Sequence, residues 1–197
     1  MEEVIGIGAE AKIILKKNET LEKIRLEKPY RPELLDKKLR KSRTKREFKI
    51  LSKLFESKIN VPKPIKENLN NFSFEFEYIK GKNLKEILNE KLLEKAIMQI
   101  ILMHNQDIIH GDLTTLNMLE RDDKIFLIDF GLSQISKGIE EKAVDLNLFF
   151  TCIKNEHNNL FHLKEKLIKQ YLEKANQSKE IIKRLKEIEH RGRNKNK

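Results

Sequence analysis

The chain reads His110-Gly111-Asp112-Leu113-Thr114-Thr115-Leu116-Asn117 and, twelve residues after the asparagine, Asp129-Phe130-Gly131. Between these segments lie two short apolar runs, 118–120 and 125–128, which are separated by a polar stretch. This alternation predicts a strand, a turn and a second strand. Because such a hairpin folds the chain back on itself, it should bring Asn117 and Asp129 together.

These residues have the types and the order that phosphoryl transfer requires. Amide and carboxylate oxygens are hard ligands that suit Mg²⁺, and Asp112 stands where an attacking hydroxyl or water must be oriented. The pattern is that of the metal-and-base half of a protein-kinase-like site. We therefore predict Asn117 and Asp129 as metal ligands that bind Mg²⁺ and ATP, and Asp112 as a catalytic residue. The alternative is a polar loop before an ordinary apolar hairpin.

The first eighty residues predict a small sheet with one main helix. Two strands are expected within 3–17, and three more at 20–26, 64–69 and 72–79, with the helix at 33–57. Glycines in the first turn would let backbone N–H groups approach phosphates. The cofactor-binding residues expected there are Gly6, Gly8, Ala9, Glu10 and Ala11. The turn is no Walker motif, so a plain hairpin turn is the alternative.

A strand lysine paired with a helix glutamate fixes the ammonium group against nucleotide phosphates. Lys23 lies in the third predicted strand and Glu47 near the middle of the predicted helix, so we expect these two to pair and to act in catalysis. Both could instead be surface charges, and other lysines lie nearby, namely Lys16, Lys17 and Lys28. Residues 77–81 fit a hinge whose backbone would meet the adenine edge, through Glu77, Tyr78 and Ile79.

Beyond the hinge the apolar period becomes helical, from residue 92 to 104 and again over 139–153, 158–175 and 178–190. Asp145 is expected to accept backbone hydrogen bonds from the catalytic loop, and His110 to brace that loop. The fold class is therefore α+β, a bilobal kinase-like fold. We predict a five-stranded antiparallel N-lobe at 1–79, a mostly helical C-lobe at 80–190 and a flexible basic tail at 191–197.

The peptide-binding half of an ordinary protein kinase is missing. Only thirteen residues, 132–144, separate Gly131 from Asp145, and all four prolines lie before residue 65, so no Ala-Pro-Glu can follow Asp129. Gly111 replaces the arginine that contacts a phosphorylated activation loop. Thr114 stands where many Ser/Thr kinases have a phosphate-contacting lysine.

Composition limits the remaining possibilities. The formal net charge is +10, with thirteen Lys/Arg against four Asp/Glu in residues 23–53 and seven against two in the last fifteen residues. Two basic patches favour a polyanionic partner, RNA or DNA, although lysine-rich helix faces are often merely solvated. The single Cys152 excludes an internal disulfide, no apolar stretch is long enough for a membrane, and the acidic start has no signal-peptide pattern. We expect a cytoplasmic, reducing compartment.

These motifs resemble the small atypical Ser/Thr kinase/ATPase subunits of the KEOPS (EKC) complex, which acts in tRNA threonylcarbamoyladenosine formation. The resemblance covers nearly the whole chain, and the segments that carry it are 8–11, 28–36, 39–40, 43–47, 110–117, 129–133, 141–146 and 191–193. The Thr-Thr-x-Asn loop and the run 142–145 are its most specific parts. Gly6 departs from the family, which often has a polar residue there.

The resemblance implies that Lys23 binds phosphate with Glu47 as its helix partner, that Asp112 is catalytic, and that Asn117 and Asp129 hold the metal. It implies a tRNA-modifying threonylcarbamoyltransferase subunit as partner, separate or fused in the same chain. A small regulatory subunit would bind the N-lobe, tRNA would bind the basic patches, and no membrane is involved.

Two further functions stay open. A RIO-like ribosome-maturation kinase or a small-molecule phosphotransferase would share the His-Gly-Asp loop. RIO kinases usually lack the glycine of Asp-Phe-Gly, and small-molecule enzymes usually add a helical substrate lid for which 197 residues leave little room. A non-catalytic RNA-binding scaffold would bind tRNA in a salt-sensitive way and without nucleotide.

Overall fold

The structure, a computed structural model, describes residues 2–194, and side chains as far as Arg191. Its first part is an antiparallel sheet of five strands in the order β1-β2-β3-β5-β4. The elements of this part are β1 (Glu3–Ile7), β2 (Ala11–Leu15), β3 (Thr20–Arg25), helix α1 (Glu33–Glu56), β4 (Pro64–Asn68) and β5 (Ser73–Glu77). The predicted five-stranded antiparallel sheet with one main helix is confirmed.

The second part is mainly helical. It contains β6 (Lys82–Asn83), α2 (Leu84–Ile87), α3 (Glu90–Asn105), β7 (Ile108–Ile109), β8 (Met118–Arg121), β9 (Lys124–Leu127), β10 (Gln134–Ile135), α4 (Ile139–Glu156), α5 (Lys164–Lys174) and α6 (Ser178–Asn194). The predicted hairpin forms, because β8 pairs with β9 in antiparallel register. The α+β fold class is confirmed, and no described helix is long and apolar enough to cross a membrane.

One apolar core runs through both parts. Leu51 and Leu54 of α1 and Phe74 of β5 belong to the same buried cluster as the inner face of α3 and the helix α4. Helix α3 places its apolar residues three and four positions apart on that inner face, as predicted for an amphipathic helix. The boundary between residues 79 and 80 falls in the segment joining β5 to β6, and the division into lobes there stays a prediction.

The first turn of α1 differs from expectation. Its period placed Leu34 and Leu35 on the apolar face, but these side chains are 84% and 48% exposed. The buried positions of the helix include the polar residues Asp36, Thr44 and Glu47. Helix α1 therefore packs by charge and hydrogen bonding along much of its length, and periodicity of apolar residues alone does not identify its inner face.

The end of the chain also differs. Residues 191–194, predicted as the start of a flexible tail, continue helix α6. The remainder of that predicted tail, 195–197, lies outside the described residues. The short elements β6 and α2 were not predicted, because two to four residues are too few to show a period.

Candidate active site

Three residues that are far apart in sequence meet at one ammonium group. The Nζ atom of Lys23 on β3 lies 2.7 Å from Glu47 Oε1 on α1 and 2.7 Å from Asp129 Oδ1 after β9. Lys23 is 8% exposed and Glu47 is 2% exposed, whereas the Asp129 side chain is half exposed. The predicted pair of Lys23 and Glu47 is therefore formed, and the aspartate of Asp-Phe-Gly joins it.

The charges of this cluster support one another. Burial alone would lower the pKa of Lys23, but the carboxylates of Glu47 and Asp129 outweigh it and raise that pKa. Burial would likewise raise the pKa of Asp129, but the Lys23 ammonium and a hydrogen bond from the Gly131 N–H hold it below its ordinary value. Lys23 and Asp129 are therefore both charged at neutral pH.

The predicted catalytic loop, residues 110–117, brings Asp112 and Asn117 together. The Asn117 side-chain amide donates to Asp112 Oδ2 at 2.9 Å and to the Asp112 backbone oxygen at 2.8 Å. The Asn117 backbone oxygen accepts from the Ile128 N–H at 3.0 Å, immediately before Asp129. The β8–β9 hairpin thus places Asn117 beside Asp129, as the sequence predicted.

Asp145 anchors this loop by hydrogen bonds to its backbone. Its carboxylate, 1% exposed, accepts hydrogen bonds from the backbone N–H groups of His110 (2.6 Å) and Gly111 (2.9 Å). Gly111 has φ +80°, and a Cβ atom there would lie 2.6 Å from the Leu132 backbone oxygen. The loop conformation therefore requires glycine at residue 111 and a buried acceptor at residue 145.

The imidazole of His110 also stabilises the loop, because both of its nitrogens contact backbone groups. Its Nε2 lies 3.1 Å from the Ile128 backbone oxygen, and its Nδ1 lies 3.3 Å from the Asp112 N–H. These partners require Nε2 to donate and Nδ1 to accept, which is a neutral imidazole. Burial lowers the pKa of His110, in agreement with that assignment. The ring also packs against Phe130, with 5.1 Å between centroids.

A cavity of about 260 Å³ opens between the sheet and the hairpin. Its walls are largely apolar, and Lys23, Glu47 and Asp129 lie at its polar end. Six of the predicted cofactor-binding residues line it, namely Gly6, Lys23, Glu77, Tyr78, Ile79 and Asp129. In the hinge, the Glu77 N–H already donates to Lys63 O and is not available to a base, whereas Ile79 O accepts from the Gly81 N–H and has a second lone pair.

The rest of the first turn lies away from this cavity. Gly8, Ala9, Glu10 and Ala11 are not among its lining residues, and neither are Asp112 and Asn117. Glu10 binds two arginines, Arg43 at 2.7 Å and Arg31 at 3.3 Å. Its charge is therefore used within the protein, and an acidic side chain has no attraction for phosphate.

The predicted metal ligands fit a magnesium ion that is shared with phosphates. Asn117 uses its amide nitrogen on Asp112, and Asp129 uses Oδ1 on Lys23 and Gly131, so one oxygen of each side chain is left without a hydrogen bond in the described part of the chain. The described residues contain no cluster of three His, Cys, Asp or Glu side chains that could hold a metal alone. An ion here would depend on ligands from the nucleotide or water, as Mg²⁺ commonly does.

Sequence reasoning missed Arg25, which is 5% exposed and forms an ion pair with Glu47 Oε2. Its position two residues after Lys23 was the available signal, because alternate residues of a strand face the same side. It also missed Ser133, whose buried hydroxyl donates to the His110 backbone oxygen at 2.8 Å. No residue pattern marks that contact.

Comparison with known proteins places this geometry in a family. A family model described as a RIO domain matches residues 16–146. The Rio2 kinase of Chaetomium thermophilum, solved as an ADP/Mg²⁺-phosphoaspartate complex, superposes with a TM-score of 0.66 at 16% identity. The superposition covers 78% of this chain and 55% of that one, and it supports the fold alone.

Relatives of known sequence are closer. The KEOPS complex subunit Bud32 of Pyrococcus abyssi is 38% identical over 96% of this chain and 95% of its own length. A probable bifunctional tRNA threonylcarbamoyladenosine biosynthesis protein of Methanobrevibacter smithii is 40% identical, and this chain spans only 36% of it. A probable serine/threonine-protein kinase BUD32 homolog of Archaeoglobus fulgidus is 33% identical over 95% of its length. Since the RIO-domain match covers most of the chain and the Bud32 relative is matched almost end to end, the chain belongs to the Bud32 family of RIO-domain proteins.

Proposed function

We propose that the chain is an Mg²⁺- and ATP-dependent Ser/Thr kinase or ATPase that supports tRNA N6-threonylcarbamoyladenosine formation as a KEOPS subunit. The observation that carries the enzymatic part is the contact of Lys23 Nζ with both Glu47 and Asp129 at the polar end of the cavity. A cation, a metal ligand and an apolar pocket for a base are thereby combined in one cleft.

Each residue has a distinct role in this proposal. Lys23 binds nucleotide phosphates, and Glu47 keeps its ammonium in place. The free oxygens of Asn117 and Asp129 would hold Mg²⁺, which neutralises developing charge on the transferred phosphoryl group. Asp112 is exposed, and Asn117 fixes its Oδ2, so its carboxylate is oriented toward the entrance to receive the proton of an acceptor hydroxyl or water.

The segment after Asp-Phe-Gly, where a phosphoryl acceptor would bind, favours water or a docked partner over a free peptide as the acceptor. Strand β10 pairs with β7, the Ser136 N–H donates to Asp107 O at 2.8 Å, and Lys142 binds the Asp107 carboxylate at 2.8 Å. The segment after Asp-Phe-Gly is therefore closed against the C-lobe and offers no extended platform. Catalysis would be ATP hydrolysis, or phosphorylation of this chain or of a partner that docks by its own surface.

Exposed apolar side chains are candidates for the partner surfaces. Those of the N-lobe lie on β1 and at the start of α1 (Val4, Ile5, Ile7, Tyr30, Leu34 and Leu35), which suits a small regulatory subunit. Those near the catalytic loop are Leu116, Leu132, Ile135 and Val144, which suits the threonylcarbamoyltransferase subunit. The M. smithii relative, which is named as a probable bifunctional tRNA threonylcarbamoyladenosine biosynthesis protein and of which this chain spans 36%, supports that second partner.

A lysine stripe on α1 is the candidate tRNA contact. Lys38, Lys41, Lys45 and Lys49 are exposed and recur every three or four residues, so they share one face of the helix. The stripe is about 16 Å long at 1.5 Å per residue, enough for several phosphates of one strand. The competing function, ribosome maturation, draws support from the RIO-domain match. Purification from the native cell separates the two, since tRNA-modification enzymes or ribosomal precursors should accompany the chain.

The enzymatic proposal is tested with Asp129→Asn and the control Asp122→Asn. Both aspartates have positive φ, 60° and 54°, which asparagine tolerates, and Asp122 is an exposed turn residue. We expect Asp129→Asn to lower ATP turnover on the order of 10²–10³-fold, with or without tRNA, while the control matches the parent. Retention of turnover by a folded Asp129→Asn variant would contradict the assignment of this site.

A further inference from the structure

Glu47 binds two cations, one on each oxygen. Lys23 Nζ lies 2.7 Å from Oε1, and Arg25 Nη2 forms an ion pair with Oε2. Lys23 and Arg25 alternate along β3, so both side chains face α1. The phosphate-binding lysine therefore shares its carboxylate partner with a second, more deeply buried cation.

Arg25 is placed to fix helix α1 and has no contact with the nucleotide cavity. It is 5% exposed, it is not among the residues that line the cavity, and its Nε has no hydrogen-bond partner in the described part of the chain. A guanidinium that is buried with an unsatisfied N–H is unfavourable unless its remaining contacts compensate. Its ion pair with Glu47 is the contact that does so.

A second bond acts on the same face of the helix. Thr44, one turn before Glu47, donates its hydroxyl to Phe72 O at 3.2 Å, and the Arg25 backbone N–H donates to the same oxygen at 3.0 Å. The end of β3 and the middle of α1 are thus joined at two neighbouring points. Rotation of α1 that withdrew Glu47 from Lys23 would have to break both.

The four charges of the cluster balance, with Lys23 and Arg25 against Glu47 and Asp129. When Lys23 turns toward phosphates and Asp129 toward a metal ion, Glu47 still has a cation of its own in Arg25. The positive charge of Arg25 also weakens the net attraction between the Glu47 carboxylate and the Lys23 ammonium, so Lys23 can interact more readily with phosphate. An arginine on the second oxygen therefore keeps the glutamate oriented through the reaction.

The sequence lacks the usual means of holding this helix. Gly111 stands before Asp112 in place of the arginine that would contact a phosphorylated activation loop, and the segment between Gly131 and Asp145 is short. We infer that Arg25 is a positioning residue that locks α1 in its active placement through Glu47, so that activation by phosphorylation is not required. This inference rests on the proposed nucleotide-dependent activity.

The experiment compares Arg25→Met, Arg25→Lys and the control Arg40→Met in the full chain without tRNA. Arg40 also binds a buried carboxylate of α1, that of Asp36 at 2.6 Å, but it does not touch Glu47. We expect Arg25→Met to lower kcat about 10–100-fold, the effect of losing a supporting partner, with little change in the calorimetric affinity for Mg²⁺-ATP. Arg25→Lys should restore most of the loss, and Arg40→Met should keep the parental kcat.

A double-mutant cycle separates positioning from plain destabilisation. In a Glu47→Gln background, Arg25→Met should lower single-turnover rates no further, because Arg25 acts through that carboxylate. Hydrogen exchange supplies a readout independent of turnover: Arg25→Met should speed exchange in residues 44–50 and leave β2 and β3 protected. Parental kcat and exchange in Arg25→Met, or equal additional losses in both backgrounds, would overturn the inference. A parent protein without turnover would instead overturn the proposed function, and the exchange measurement would still test Arg25.

Discussion

Replacement of Asp145 by asparagine should loosen the catalytic loop without touching the cavity. The carboxylate accepts N–H groups on both oxygens, from Gly111 on Oδ1 and from His110 on Oδ2, and the His104 imidazole lies 3.4 Å from Oδ2. Either orientation of an asparagine amide turns an NH₂ group toward one of these donors. One charge-assisted hydrogen bond is lost, and a buried N–H is left without an acceptor.

The structure gives the size of this effect. A hydrogen bond to a charged group contributes about 1.5–3 kcal/mol, and a buried unsatisfied donor adds about 1–3 kcal/mol. Removing a buried charge offsets part of the sum, so we expect a loss of about 2–4 kcal/mol in the free energy of unfolding. For a chain of this size that corresponds to roughly 5–15 °C in Tm.

Thermal unfolding of Asp145→Asn is measured beside Asp122→Asn, an exposed aspartate in the β8–β9 turn, to remove the effect of the charge change. Hydrogen exchange should show faster opening of residues 108–113 than of the N-lobe sheet. If Tm stayed within about 2 °C of the control, the two backbone hydrogen bonds would not stabilise the loop, and the account of Asp145 as its anchor would fail.

Two other predictions follow from buried charge and from burial of an imidazole. Lys142→Met should destabilise the chain by about 1–2 kcal/mol, because it leaves the partly exposed Asp107 carboxylate without its cation. The Lys142 ammonium lowers the pKa of Asp107, so this contribution to stability is present above pH 3.8. The free energies of unfolding of parent and variant should therefore converge as the pH falls below that value. The pKa of His110 should lie below its ordinary value of 6.5, and ¹⁵N spectra should show the proton of the neutral ring on Nε2. Because the pKa is lower in the folded than in the unfolded chain, the free energy of unfolding should decrease as the pH drops below 6.5. Charging of His110 at or above pH 6.5 would contradict its buried, neutral assignment.

The hairpin that brings Asn117 and Asp129 together could be predicted from sequence because it is local. Asn117 and Asp129 are separated by one hairpin, and the length of a hairpin determines where its ends meet. The pairing of Lys23 with Glu47 required a longer inference, from a strand to the helix that covers it. It succeeded because a strand lysine paired with a helix glutamate is the arrangement that a kinase-like site requires, and Lys23 and Glu47 lie in the matching strand and helix.

The remaining features depend on packing that no local pattern encodes. Leu34 and Leu35 continue an apolar period, yet they are exposed, and the residue that α1 buries in this turn is Asp36. Glu10 stands in a turn with glycines, but Arg31 and Arg43 come from elsewhere in the chain to bind it. The two arginines that bind Glu10 are distant from it in sequence, and a single sequence does not reveal the contact.

In the proposed function, the groups on the two sides of the cleft differ in a way that favours a partner on the acceptor side. The groups proposed to face the nucleotide come from this chain, and within the described residues the Asp112 carboxylate accepts a side-chain hydrogen bond from Asn117 only. On the acceptor side, the segment after Gly131 is closed against β7 and Asp107, and Thr114 provides no cation at the loop. A transferred phosphoryl group would therefore lack a positive charge at its outer side. A docked protein or tRNA that orders counter-charges there would accelerate turnover, whereas a chain that phosphorylated free peptides at full rate on its own would contradict this reasoning.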